Sequence, residues 1–226
     1  PFPAGSAAES TVSSVEETAS SAVDENEAAA AQLLNDLTGS YQELWPVILA
    51  DEYKQTWLDD CTALVGEENA EAAFEKLSSM VTGDVYGEDA VEAYANGGGA
   101  YFCGFTNDLA TLTFDGETST ISGTDKDGNV LFSHTYHYIG MEPVHGLYEF
   151  ESDDADSGEF TYFFLAPDTS AETYHIEFRY GSDAEALSQY DAGEYAYWVA
   201  SGISTDCDQT MIDNCIELFC TENLAG

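Results

Sequence analysis

The sequence predicts a mainly β fold with flanking helices, in which an antiparallel meander of short strands curls into a barrel or a sandwich. Between residues 109 and 180, short runs rich in β-branched and aromatic residues alternate with tight turns. On either side of this region, apolar residues recur at helical spacing. A hydrophobic fraction of 44% over 226 residues is enough to form a buried core.

The first 30 residues differ in composition from the rest of the chain. They contain eight Ala, six Ser and six acidic residues, with no Lys or Arg. Such a segment buries too little apolar area to offset the entropy of ordering, so we expect a disordered acidic tether over 1–30 and a folded domain over 31–226. A tether of this kind is typical of an exported, cell-surface protein that is lipid-anchored through a removed N-terminal segment.

The folded part is expected to begin with helices and then to change to strands. Helical spacing covers residues 67–95, with a glycine-containing break. The strand pattern follows over residues 109–114, 118–122, 130–139, 147–150, 160–165 and 174–180. A capping box at Ser182-Asp183-Ala184-Glu185 opens a short helix. Another helix is expected from about Thr205 to Cys220, with its apolar residues on one face.

The charge of the chain restricts its partners. It has 44 acidic and 4 basic side chains, a formal net charge of −40. A surface this acidic repels phosphate backbones and anionic lipids, so we expect neither nucleic-acid binding nor direct membrane insertion of the folded domain. Divalent cations and basic partners are compatible with it.

Five cysteines are present, and none of them forms a CxxC pair. This spacing argues against zinc-ribbon and thioredoxin-like motifs. In an exported protein a disulfide among Cys207, Cys215 and Cys220 is compatible with the sequence, which leaves the connectivity open. Cys215 also fits the pattern of a small core residue in the last predicted helix.

Catalytic signatures such as GxSxG, a P-loop and HExxH are absent from the sequence, so we expect a binding protein and not an enzyme. His175 and Glu177 are two apart in a predicted strand, and their side chains therefore leave the same face. An imidazole and a carboxylate on one face could begin a zinc site. The alternative is an ordinary His/Glu pair on a sheet surface.

Four segments, in order along the chain, resemble one protein family. The segment 34–49 contains Gly39 and Pro46, which match the family's L-x-D-W-x-G-x-W-Q-S-x-x-P-x-L pattern. Segment 146–151 is similar to its G-V-R-Y-L-F-E strand, Ala166-Pro167 to its A-P, and 175–181 to its H-F-H-I-Y-Y-G. The family is ZinT/YodA, a group of periplasmic or surface zinc-binding proteins. The resemblance covers about residues 33–220 and implies a lipocalin-like (calycin) antiparallel β-barrel with N-terminal and C-terminal helices.

The resemblance also implies where a metal would bind. The family holds zinc in the barrel mouth through three histidines, which fall here at Phe163, His175 and Glu177. Only the second is retained, and Phe163 is expected to face the same cavity as the other two. A short insertion after Pro167 makes the alignment less direct. Additional ligands would have to come from nearby residues, for which the candidates are His137, His145, Glu149 and Glu172.

Two functional hypotheses follow. The first is an exported, surface-tethered, monomeric protein that binds zinc or a similar divalent metal and has a metal transporter or another surface protein as its partner. The alternative is a degenerate, metal-free lipocalin-like module that binds a small ligand or a protein. The 14 Tyr and 12 Phe residues could line the calyx of such a module.

Overall fold

Eight antiparallel strands close into a barrel in the computed structural model, which describes residues 25–96, 99–167 and 175–226. Each strand pairs with the next in sequence, and β1 pairs with β8 to complete the closure. The strands are β1 (Gly39–Glu43), β2 (Thr111–Asp115), β3 (Thr120–Thr124), β4 (Val130–Met141), β5 (Tyr148–Ser152), β6 (Tyr162–Leu165), β7 (His175–Gly181) and β8 (Ala200–Ser204). The predicted lipocalin-like barrel is confirmed, and the sandwich alternative is wrong.

Helices flank the barrel in sequence on both sides, as predicted. They are α1 (25–36), α2 (Leu44–Ile48), α3 (Lys54–Val65), α4 (Glu67–Val81), α5 (Glu88–Ala93), α6 (Ala184–Leu187) and α7 (Gln209–Leu224). The capping residue of α6 is Asp183, whose side chain accepts hydrogen bonds from the backbone N–H groups of Glu185 and Ala186. Asp208 caps α7 in the same way by accepting from the backbone N–H of Met211.

Aromatic rings fill the interior of the barrel. Phe163 and Tyr180 stack with their centroids 5.3 Å apart, and Phe132 stacks on Phe160 at 4.1 Å. Phe163, Phe178 and Tyr180 are fully buried in this core. The protein's own side chains therefore occupy the space in which a calyx would hold a small ligand.

A second apolar core lies outside the barrel, where α2, α3, α4 and α7 pack together and against β8. Its centre is a group of aromatic rings, in which Trp45 lies 4.7 Å and Trp57 5.9 Å from Phe219. The indole N–H of Trp57 donates to the carbonyl of Ile48 at 2.7 Å, so this buried polar group is satisfied. The outer face of the barrel is therefore covered by helices on this side.

The beginning of the described chain already belongs to the folded body. Ala30 is fully buried in the barrel core cluster, together with Leu33 and Leu34 of the same helix. The boundary expected between residues 30 and 31 therefore falls inside α1. Residues 1–24 lie outside the described residues, and the tether predicted there stays a prediction. Among the described helices, none is long and apolar enough to cross a membrane.

Candidate functional site

His175 and Glu177 share one face of β7, as the two-residue spacing predicts, and this face points out of the barrel. The alternate residues Ile176 and Phe178 are buried in the barrel core. Across the strand pair, His175 lies opposite Ile203, a member of the second core. The two candidate ligands thus point towards the helices and not into the barrel interior.

A small cavity lies between β7, α2 and α7. His175 and Glu177 line it from the strand, and Glu222 lines it from the last turn of α7. The rest of the wall is mainly apolar and includes Trp45 and Phe219. The cavity has a volume of about 20 Å³, which is room for one water molecule or one metal ion.

Glu177 also borders larger cavities. One of about 340 Å³ is bordered by Glu177, His145 and Tyr190, and an adjoining one of about 240 Å³ adds Cys103. Burial raises the pKa of Cys103 to about 12, and the nearby charge of Glu177 contributes to the shift. Cys103 is therefore a protonated thiol at neutral pH, and a metal ion would have to displace its proton to bind there.

His145 is held in place beside these larger cavities. Its backbone N–H donates to the buried carboxylate of Glu142 at 2.7 Å, and its ring lies 3.9 Å from the ring of Tyr190. His145 thus shares a larger cavity with Glu177, while His175 lines the small one. The structure brings each histidine near Glu177 but places them at different cavities.

The remaining candidates lie elsewhere. His137 is on β4, where its Nδ1 is 2.6 Å from a carboxylate oxygen of Asp153. Glu149 is on β5, and strand β6 separates it from β7. Burial, and then the charge of Glu142, raises the pKa of Glu149. Glu172 lies outside the described residues. The structure therefore does not bring His137 or Glu149 into the cavity with His175.

The expectation for Phe163 is wrong. Phe163 lies directly opposite Tyr180 on the neighbouring strand and is fully buried among the aromatic rings of the barrel core. Residues opposite one another in an antiparallel pair share a face, and Tyr180 is an odd number of residues from His175. Phe163 therefore faces the inside of the barrel, whereas His175 and Glu177 face the outside.

The donors at the small cavity match a divalent cation in type but do not form a complete shell. Imidazole nitrogen and carboxylate oxygen are both zinc ligands. In the described part of the chain, however, no group of three or more His, Cys, Asp or Glu side chains is arranged to hold a metal ion. Binding would require the side chains around the cavity to rotate. Among the residues that line the cavity, Glu222 was not predicted as a ligand. It lies at helical spacing on the same face of α7 as Cys215, Leu218 and Phe219.

Neither a protein-family model nor a curated protein sequence matches the chain. Among solved structures, the Zn(II)-bound ZinT-like domain of Streptococcus pneumoniae AdcA is similar over 80% of this chain and 87% of that chain, with 15% identity and a TM-score of 0.49. Zn(II)-bound AdcA from the same organism is similar over 84% of this chain and 34% of that chain, with 15% identity and a TM-score of 0.46.

Proposed function

We propose that the protein binds a divalent metal ion, with zinc as the expected ion, in the small cavity between β7 and α7. The observation that carries this proposal is that His175, Glu177 and Glu222 line one ion-sized cavity. The choice of zinc rests on the donor types and on the ZinT resemblance of the sequence. The net charge of −40 also favours cations, because it raises their concentration near the surface.

The strand holds the two central ligands in fixed positions. His175 and Glu177 lie opposite Ile203 and Ser201 in the β7–β8 pair, and the carbonyl of Glu177 accepts from the backbone N–H of Ala166 at 3.0 Å. Glu222 is exposed near the end of α7, so rotation of its side chain can bring a third donor to the ion. The apolar residues on the rest of the wall would reduce the contact of the ion with water, which strengthens its attraction to the carboxylates.

The wider part of the proposal concerns location and role. We propose that the protein is exported, tethered to the cell surface through the segment that precedes α1, and passes metal to a transporter or another surface protein without catalysing a reaction. The composition of residues 1–30 and the acidity of the whole chain support this part. Protease treatment of intact cells tests it, since an exported protein is digested while cytoplasmic markers are protected.

A small-ligand module is the second candidate, and the cavity beside His145 favours it. This cavity of about 340 Å³ has an aromatic wall at Tyr190. Such a volume is at the lower end of those that bind small molecules. His145→Ala would then weaken ligand binding and leave zinc binding intact, which separates the two functions.

Calorimetric zinc titration of the purified protein tests the main proposal. We expect about one equivalent of zinc to bind, with an affinity that falls at acid pH because protons compete for the histidine. His175→Ala and Glu177→Gln are each expected to weaken binding more than tenfold, which corresponds to about 1.4 kcal/mol. His137→Ala is the matched control, since that exposed histidine lies on β4 beside Asp153.

Two results would contradict the proposal. An unchanged isotherm for His175→Ala would show that this residue is not a ligand. Weak binding of many equivalents, equal in all three variants and in the wild type, would show that zinc only associates with the acidic surface.

A further inference from the structure

Two cysteines far apart in sequence meet between α3 and α7. Cys61 and Cys220 are 159 residues apart, and their sulfur atoms are 3.9 Å from each other. Both side chains are fully buried. The sulfur atoms of a disulfide are about 2.0 Å apart, so small side-chain rotations would bring these two within bonding distance.

The surroundings keep the two thiols together. Both belong to the second apolar core, in which Trp57 of α3 packs against Phe219 of α7 with ring centroids 5.9 Å apart. These neighbours lie four residues from Cys61 and one residue from Cys220 along their helices. The two helices are thus aligned by packing on the same part of the interface that contains the thiols.

We infer that Cys61 and Cys220 form a disulfide that joins α3 to α7 when the protein folds in oxidising surroundings. The oxidant is a small-molecule disulfide such as oxidised glutathione. One cysteine thiolate attacks it, which forms a mixed disulfide and releases one glutathione. The second cysteine thiolate then attacks the protein sulfur of the mixed disulfide and releases the other glutathione. Two electrons pass from the cysteines to glutathione, and the two thiol protons end on the released glutathione molecules.

The exchange belongs to folding and not to the finished structure. Because neither side chain is exposed, a small disulfide reaches them only before α7 docks on α3. A protein folded under reducing conditions should therefore keep the pair as thiols, the state in which all five cysteines occur in the structure.

The geometry changes the pairing considered from the sequence. Cys215 and Cys220 both lie on α7, five residues apart, and so project from different sides of the helix. Cys215 lines the small cavity with His175, and Cys207 precedes the helix in a partly exposed position. The partner of Cys220 is therefore Cys61, which was not in the group of Cys207, Cys215 and Cys220.

Oxidative refolding tests this inference directly. The wild-type protein is unfolded and reduced, refolded with reduced and oxidised glutathione, alkylated and digested, and its peptides are identified by mass spectrometry. We expect a linked peptide pair that contains Cys61 and Cys220. The melting temperature of the oxidised protein should exceed that of the reduced protein by an amount on the order of 5–15 °C, since a long loop is closed.

The variants separate this bond from other effects of oxidation. Cys207→Ser is the matched control, because it removes a thiol outside the pair, and it should keep both the linked peptides and the thermal shift. Cys61→Ala and Cys220→Ala should lose both. Alkylation of Cys61 and Cys220 after oxidative refolding of the wild type, or linkage of either residue to a different cysteine, would overturn the inference. The wild-type peptide map decides the question even where a variant folds poorly.

Discussion

Replacing Phe163 by histidine is expected to destabilise the barrel without strengthening zinc binding. The side chain is fully buried, and it packs against the rings of Tyr180 at 5.3 Å and Tyr136 at 5.4 Å. It faces the barrel interior, while His175 and Glu177 line a cavity on the outside. A histidine at this position could therefore not reach an ion bound in that cavity.

The expected loss of stability follows from the contacts that the histidine ring cannot make. Removing a buried Phe ring altogether costs about 3–5 kcal/mol. Histidine keeps a smaller flat ring, which recovers part of this, but it introduces buried nitrogen atoms whose missing hydrogen bonds cost about 1–3 kcal/mol. We expect the free energy of unfolding to fall by about 3 kcal/mol, a large part of the 5–15 kcal/mol typical of a domain.

Urea unfolding with and without zinc measures both effects. The loss caused by Phe163→His should be the same in each condition, and the zinc isotherm should match that of the wild type. Tyr162→His is the matched control on the same strand, and its half-buried position predicts a loss below about 1 kcal/mol. A tenfold gain in zinc affinity, with stability recovered when zinc is added, would refute the orientation of β6 and β7 described here.

Other perturbations test the tail, the buried cation and the pH dependence. Deleting residues 1–24 is expected to leave the melting temperature unchanged. Deleting residues 1–36 also removes the buried side chains of α1 and should lower the melting temperature, so equal values for the two deletions would contradict the packing of α1 on the barrel. The buried guanidinium of Arg179 donates to the carbonyls of Leu187, Gln189 and Tyr195, and the ammonium group of lysine cannot reproduce this planar set of donors. Arg179→Lys should therefore lower the free energy of unfolding in urea by about 2–4 kcal/mol, and full stability would contradict this explanation. Hydrogen bonds from Thr135 and His137 lower the pKa of Asp153, so its stabilising effect is present above the ordinary value of 3.8 and is lost as the pH falls through the lowered value. Asp153→Asn should therefore be less stable than the wild type at pH 6, by under about 1 kcal/mol because the carboxylate is exposed. At strongly acid pH the two proteins should be equally stable, and a difference that grows on acidification would exclude this explanation.

The strands that the sequence predicted are those with strong side-chain alternation. All six predicted strands between residues 109 and 180 correspond to β2–β7. The strand β8, which reads Ala200-Ser201-Gly202-Ile203-Ser204, has one β-branched residue and no aromatic residue, so its periodicity is too weak to recognise. The helix α3 has only Trp57 and Cys61 fully buried, which leaves little of an apolar stripe for a pattern to show.

The sequence predicted only part of the candidate site, and the reason is geometric. A two-residue spacing requires His175 and Glu177 to share a face of the strand, but it does not decide between the inside and the outside of a barrel. Ile176 lies between the two residues and Phe178 follows them, and these two apolar side chains occupy the barrel interior. Phe163 was placed by motif resemblance, which contains no information about pairing register.

Glu222 was not recognised as a candidate ligand for a different reason. The last helix was expected to end near Cys220, and the residue two positions beyond was therefore not considered as part of a helical face. In the structure α7 continues to Leu224, so that Glu222 follows Phe219 on the side that faces β7. The helix length, and not the chemistry of the residue, determined whether it could be recognised as a candidate ligand.

The most direct test of the metal site is a crystal structure of the zinc-loaded protein with diffraction measured on both sides of the zinc absorption edge. We expect one strong anomalous peak in the cavity between β7 and α7, at about 2.0–2.2 Å from a ring nitrogen of His175 and a carboxylate oxygen of Glu177. Glu222 is expected to have rotated towards the ion. A peak beside His145, a peak at the surface pair of His137 and Asp153, or no ordered zinc in crystals of a protein that binds one equivalent in solution would contradict zinc binding by His175 and Glu177.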